Sequence, residues 1–234
     1  MRLLLPFAVM IAAGLFFAEP VAAKGNMVGI KAGLNLSRPW CPDKSQSAFY
    51  DTLGMKPGLI TGVVIEFRGN SLLSFQPEIL FSMKGAFESQ ASFGIDYTRI
   101  TSFHYIEFPL LLKVNIPVDR AVPNLYAGPA VGFRVSVGGY NKYGDQRSEF
   151  SDQYKKILED NTNPVDFGLA MGGGFEILAG TGSVVIDFRY TLGFVKIFRL
   201  NNAMRIEGWT GDDVAKDRNG VFSMMIGYKF GLEG

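Results

Sequence analysis

The chain has 234 residues, with 23 Lys and Arg against 22 Asp and Glu, a net charge of +1. No strong field therefore argues for nucleic acid or an acidic substrate. One cysteine, Cys41, excludes an internal disulfide framework and a four-cysteine metal site, and one histidine, His104, leaves little room for a histidine zinc site; no cofactor is expected.

The first residues read as a targeting segment. Arg2 is a minimal positive region, Leu3 to Phe17 is apolar, and Val21-Ala22-Ala23 supplies small residues for cleavage. The run is short for a spanning helix and is interrupted by Pro6, Gly14 and Pro20. Residues 1–23 are expected to be a signal peptide and 24–234 one exported domain, since no linker or composition shift divides them.

A period of two then recurs about eight times. The first predicted strand runs from Asn26 to about Ser37, with Val28, Ile30, Leu34 and Leu36 opposite Lys31 and Asn35. The second, Gly58 to Arg68, sets Leu59, Val63, Ile65 and Phe67 against Gly62 and Glu66, and Gly69-Asn70 is a hairpin signal. The third, Leu73 to Ala86, places Leu73, Phe75, Ile79, Phe81 and Met83 on one face. Ser74, Gln76, Glu78, Ser82 and Lys84 share the other with one apolar exception, Leu80. The fourth, about Arg99 to Val114, opposes Ile106, Phe108, Leu110 and Leu112 to Tyr105, Glu107 and Lys113.

The fifth, Asn124 to Val137, opposes Leu125, Ala127, Val131, Phe133 and Val135 to Tyr126, Gly128, Gly132 and Arg134. Gly138 to Asn163 is the longest connection. Within it Phe150, Tyr154, Ile157 and Leu158 recur at helical spacing. The sixth strand, Pro164 to Leu178, opposes Phe167, Leu169, Phe175 and Ile177 to Asp166 and Glu176. The seventh, Ser183 to about Phe198, opposes Phe188, Tyr190, Leu192 and Phe194 to Asp187 and Arg189. The last, Gly220 to Phe230, opposes Phe222, Met224, Ile226 and Phe230 to Ser223, Gly227 and Lys229.

The connections alternate long and short, as in an up-and-down antiparallel barrel with long loops at one rim and short turns at the other. A soluble carrier barrel would have to hold the bulky apolar face inside, where eight strands leave room for few large side chains. The predicted fold is therefore all-β: an eight-stranded transmembrane barrel, apolar outside and polar inside. Pro77, Pro109 and Pro129 fall inside three successive strands, each removing a ladder donor. They are expected at one level near the short-turn rim, with bulges or missing ladder pairs.

Phe75-Gln-Pro-Glu-Ile-Leu-Phe-Ser-Met-Lys-Gly-Ala86, Tyr105-Ile-Glu-Phe-Pro-Leu-Leu-Leu-Lys113 and Tyr126-Ala-Gly-Pro-Ala-Val-Gly132 resemble strands of the PorT-like outer-membrane β-barrel family of Bacteroidetes and relatives. Asp166-Phe-Gly-Leu, Asp187-Phe-Arg-Tyr-Thr-Leu-Gly193 and the closing Gly227-Tyr-Lys-Phe230 continue the resemblance over nearly the whole mature chain. It implies an eight-stranded outer-membrane barrel, one family member assisting protein secretion. The aromatic end resembles the recognition signal of the barrel assembly machinery, although Gly231 to Gly234 extend past it. Expected partners are outer-membrane lipid, that machinery, and an envelope or secretion protein; nucleic acid is not among them.

The interior charges form the main constellation: Lys31, Glu66, Glu78, Lys84, Glu107, Arg134, Glu176, Asp187 and Arg189 all fall on the polar face. Buried charges left unpaired are costly, so they are expected to form ion pairs that close the lumen, Arg134 and Arg189 reaching across. The predicted function is then non-enzymatic, carried by loops or outer surface. One alternative is a lipid-facing hydrolase using Ser102 and His104, for which no acidic third member is identifiable; another is a small-solute pore. Gly172-Gly173-Gly174 lacks the Lys-Ser/Thr of a phosphate loop. Asp212, Asp213 and Asp217 lack calcium-loop spacing, Cys41 is read as a loop residue, and Trp40 and Trp209 are read either as exposed contact residues or as loop packing. Asn35-Leu36-Ser37 matches a glycosylation sequon but lies in a strand.

Overall fold

The computed structural model describes residues 25–40, 53–69, 72–92, 95–116, 118, 121–199 and 217–232. The predicted signal segment, Cys41, Trp209, Asp212 and Asp213 lie outside them. Alternating residues build one antiparallel sheet: β1 (Met27–Trp40), β2 (Leu53–Gly54), β3 (Lys56–Arg68), β4 (Leu73–Ser92), β5 (Ile95–Asn115), β6 (Ala121–Tyr143), β7 (Gln146–Glu149), β8 (Val165–Ala179), β9 (Gly182–Lys196) and β10 (Arg218–Gly231). Among the described residues one helix, α1 (Asp152–Asn161), interrupts the series.

Eight long strands close a ring in the order β1-β3-β4-β5-β6-β8-β9-β10, with β10 returning to β1 and the β4–β5 pairing completing the circuit. Of the two remaining strands, β2 pairs with β4 and β7 with β6. The ring turns its apolar row outward: Ile30, Leu34, Leu59, Leu112, Leu125 and Ile226 are each more than half exposed, while Lys31, Glu66, Glu78, Glu176, Asp187 and Lys229 are buried. This is the polarity of a barrel set in lipid. Leu80, alone among its polar neighbours, packs inside with Ile60 and Met225.

The three prolines sit at one level, because Pro77 pairs with Leu110 next to Pro109, and Pro109 with Ala130 next to Pro129. Ladder pairing lapses beside each: between Val64 and Phe67 on β3, between Pro77 and Leu80 on β4, and between Pro109 and Leu112 on β5. The register is the same on both sides of each lapse, so no side chain changes face there. In the β5–β6 pairing the register shifts elsewhere. His104 faces Ser136 and Tyr105 faces Arg134, leaving Val135 as an extra residue in β6, a bulge that re-aims the side chains beyond it.

The ring is lopsided. β4, β5 and β6 have 20, 21 and 23 residues, against 13 to 15 in the other five ring strands. Pairing continues to Ser92↔Ile95 and Tyr97↔Tyr143, so these strands rise past the apolar belt as a fin about 20–30 Å long along the strands at ~3.3 Å per residue. Residues 87–97, the connection between the third and fourth predicted strands, are largely this hairpin.

Candidate functional site

Inward-facing charges stack in three tiers. Nearest the short turns, Lys229 and Lys113 each pair with Glu66 and Glu176, and Arg68 reaches Glu66 at 3.1 Å and Glu176 at 2.8 Å. In the middle tier Lys31 lies 2.8 Å from Glu78 and also pairs with Asp187. Arg189 grips Glu78 with both terminal nitrogens at 2.7 and 3.0 Å, the bidentate geometry that favours arginine. Tyr126 donates to Asp187 and accepts from Arg189 at 3.3 Å. It reaches along the inner wall toward β9 over Gly172, its partner on β8, which leaves space, since a Cβ there would lie 2.6 Å from the tyrosine oxygen. The upper tier joins Lys84 to Glu107 and to Asp166 at 2.9 Å, with Asn219 donating to Asp166.

Six cations and six carboxylates are thus paired, and none of these side chains is more than 8% exposed. Seven ring strands contribute charge and the eighth, β6, contributes Tyr126. Burial this deep costs several kcal/mol per ion, offset only when partners and hydrogen bonds are complete.

Above the upper tier the filling changes character. Phe103, Tyr105, Val137, Phe150, Leu158 and Ile197 form an apolar cluster with Tyr154 packed on it. Helix α1 supplies Leu158 and begins at Ser151, whose Oγ accepts from the Tyr154 amide at 3.2 Å, a standard N-cap. Phe150 enters over Gly139, where φ is +152° and a Cβ would stand 2.5 Å from the phenylalanine ring. The expected helix therefore exists, and it roofs the lumen.

Lys31, Glu66, Glu78, Lys84, Glu107, Glu176, Asp187 and Arg189 all lie in the tiers. Arg134, expected to pair with the lumen carboxylates, does not. Set beside the β6 bulge, its Nη2 donates 2.9 Å to the carbonyl of Glu159, one of the unpaired carbonyls at the end of α1, where a cation is favoured. Arg68, Lys113, Lys229 and Asp166 complete the tiers, and their matching parity with Glu66, Glu107, Gly227 and Gly168 is the signal that identifies them.

Ser102 and His104 share the outward face, but the structure does not join them. His104 Nδ1 meets Ser136 Oγ at 2.6 Å, across the strand pair. The other ring nitrogen has no hydrogen-bond partner, so among the described residues no carboxylate orients the imidazole as a triad requires.

The fin presents two polar faces. Toward the barrel mouth Arg99 donates to Tyr97 at 2.8 Å and to Asn141 at 3.3 Å, and the Tyr97 and Tyr143 rings lie 4.8 Å apart. On the other face the Arg147 guanidinium stacks 3.7 Å from the Tyr140 ring. Its edge strand β7, Gln146-Arg147-Ser148-Glu149, is short, charged and exposed, features that discourage strand addition. At the foot of the fin, burial raises the Glu88 carboxyl above the ordinary range. Burial, together with Glu88, pushes Asp217 up to about 6.

Neisserial surface protein A is similar in structure, with a TM-score of 0.44 and 10% identity, covering 88% of this chain and 97% of that one. Ail, the attachment invasion locus protein of Yersinia pestis in complex with the heparin analogue sucrose octasulfate, gives 0.38 and 13%, covering 88% and 99%. The N-terminal β-barrel domain of Pseudomonas aeruginosa OprF gives 0.35 and 11%, covering 89% and 98%. No curated protein matches the chain in sequence. The family model described as outer membrane protein beta-barrel domain matches residues 22–199, and with its closed ring, lipid-facing apolar belt and charged interior the chain belongs to that family.

Proposed function

We propose that this protein is a closed, non-enzymatic barrel of the PorT-like group in a Gram-negative outer membrane, exported by residues 1–23 and inserted by the barrel assembly machinery. It acts from its long-loop side on another envelope or secretion component. The observation that carries this reading is the lumen. Six paired cations at three successive levels, under an apolar roof, leave side chains where a solute path would run. The work then falls to what stands outside the ring, and among the described residues the fin is the largest such element.

Purified protein in a planar bilayer should show no steady conductance. Steady current, lost when Arg189 is changed to a bulkier residue, would make it a pore. Photo-crosslinking groups at Lys142 and Tyr143, on opposite fin faces, should capture a partner in native membranes, and replacing the fin by short turns should abolish that capture. A fin deletion with no effect on captured partners would move the function to another loop.

A further inference from the structure

Each cation of the three tiers has a carboxylate partner, while one sector of the wall carries cations on its outward face. The outward row of β1, β10 and β9 ends its apolar part at Leu36, Phe222 and Phe194. Immediately above, Arg38 faces Gly220, Trp40 faces Arg218, and Arg218 faces Lys196. The Arg218 guanidinium lies 5.3 Å from the Trp40 ring. Among the described residues neither Arg218 nor Lys196 has a carboxylate partner, and the Trp40 indole N–H has no acceptor.

Gly220 is the floor of this patch. A Cβ there would stand 3.1 Å from the Tyr190 hydroxyl and 3.3 Å from Trp40 Cδ1, so two aromatic side chains lean over a position with no side chain. The pattern is local. Past Phe81, Ile106 and Val135 the outward rows of β4, β5 and β6 read Met83, His104, Ser136 and then Gly85, Ser102, Gly138, with no lysine or arginine.

We propose that Arg218 and Lys196, with Trp40 and Tyr190, form a site for the phosphate of an outer-leaflet lipid headgroup. Long loops mark the extracellular rim of such barrels, and these residues stand at that rim, where the hydrocarbon ends. Trp and Tyr favour that boundary, and arginine and lysine reach from it toward polar headgroups. Arginine presents a planar fork suited to phosphate oxygens. The acyl chains would run down the wall over Leu36, Phe222, Leu192 and Met224, which a free anion has no use for. The ligand class is therefore a phosphorylated lipid.

The test uses the full chain in detergent micelles, with bound lipid measured by native mass spectrometry. The probes are lipid A, enzymatically dephosphorylated lipid A, and inorganic phosphate. Lipid A should bind about tenfold or more tightly than its dephosphorylated form, the size of one lost charge-assisted contact. Arg218→Glu combined with Lys196→Glu should erase that preference, and millimolar phosphate should not displace the lipid. Equal binding of the two lipids to the native protein would overturn the proposal, as would a preference unchanged in the variant. Displacement by inorganic phosphate would show a free-anion site instead. The heat-dependent shift of folded barrels on gels confirms folding; if the double variant fails it, the exposed Lys196→Glu change and the two-lipid comparison on native protein decide.

Discussion

The belt-level barrel and its roof are packed in opposite senses. Within the belt, charges face inward and Leu, Ile and Phe face outward. In the roof, Phe103, Val137, Phe150, Leu158 and Ile197 face inward, while the fin and the outer side of α1 are polar. The changeover lies at Tyr105, level with the β6 bulge at Val135. One chain thus follows two inside-outside rules, because the medium outside the wall changes from hydrocarbon to water at that height. The inverted section must be held by complete ionic pairing, whereas the roof is held by ordinary apolar burial.

That contrast can be broken at its inverted end first. Glu78→Ala removes the shared partner of Arg189 and Lys31 and should destabilise the barrel by roughly 3–5 kcal/mol, the cost of stranding a buried charge, read as a lower urea midpoint for unfolding from lipid. Little loss would mean that water already screens the middle tier. The roof should fail more locally. Leu158→Ala should cost about 2–5 kcal/mol of roof stability, appearing as faster amide exchange across α1 with the barrel ring unchanged. Exchange rising equally in both regions would show that roof and tiers unfold as one unit.

The smallest effect sharpens the boundary between them. Asp217 titrates near 6 in the folded protein, against 3.8 ordinarily, through burial and the nearby Glu88. A carboxyl raised on folding holds its proton more tightly when folded. Its stabilising effect is therefore full below about 4 and lost as pH rises through about 6. The Ile197 amide, which donates to the Asp217 carbonyl at 2.8 Å, should show a few-fold higher protection at pH 5 than at pH 7.5, once its rate is divided by the base-catalysed intrinsic rate at each pH. Asp217→Asn should flatten that difference; an unchanged pH dependence in the variant would assign it to another group.

The sequence by itself determined the ring, its facing and most of its interior. Alternation such as Phe188-Arg189-Tyr190 or Glu78-Ile79 is imposed directly by a wall with lipid on one side, so parity alone places Asp187, Arg189 and Glu78 inside. The same physics explains where sequence reading stops. Above the belt both strand faces meet water, the period-two apolar signal fades, and Phe87 to Tyr97 reads as a loop although it is mostly strand. Only the tertiary structure decided the rest. One unopposed residue, Val135, turned Arg134 from the carboxylates to the end of α1, and cross-strand register joined His104 to Ser136 instead of Ser102. It also gathered Arg38, Trp40, Lys196 and Arg218 around Gly220. Register and bulges depend on how distant strands close the ring, and neither composition nor periodicity within one strand contains that information.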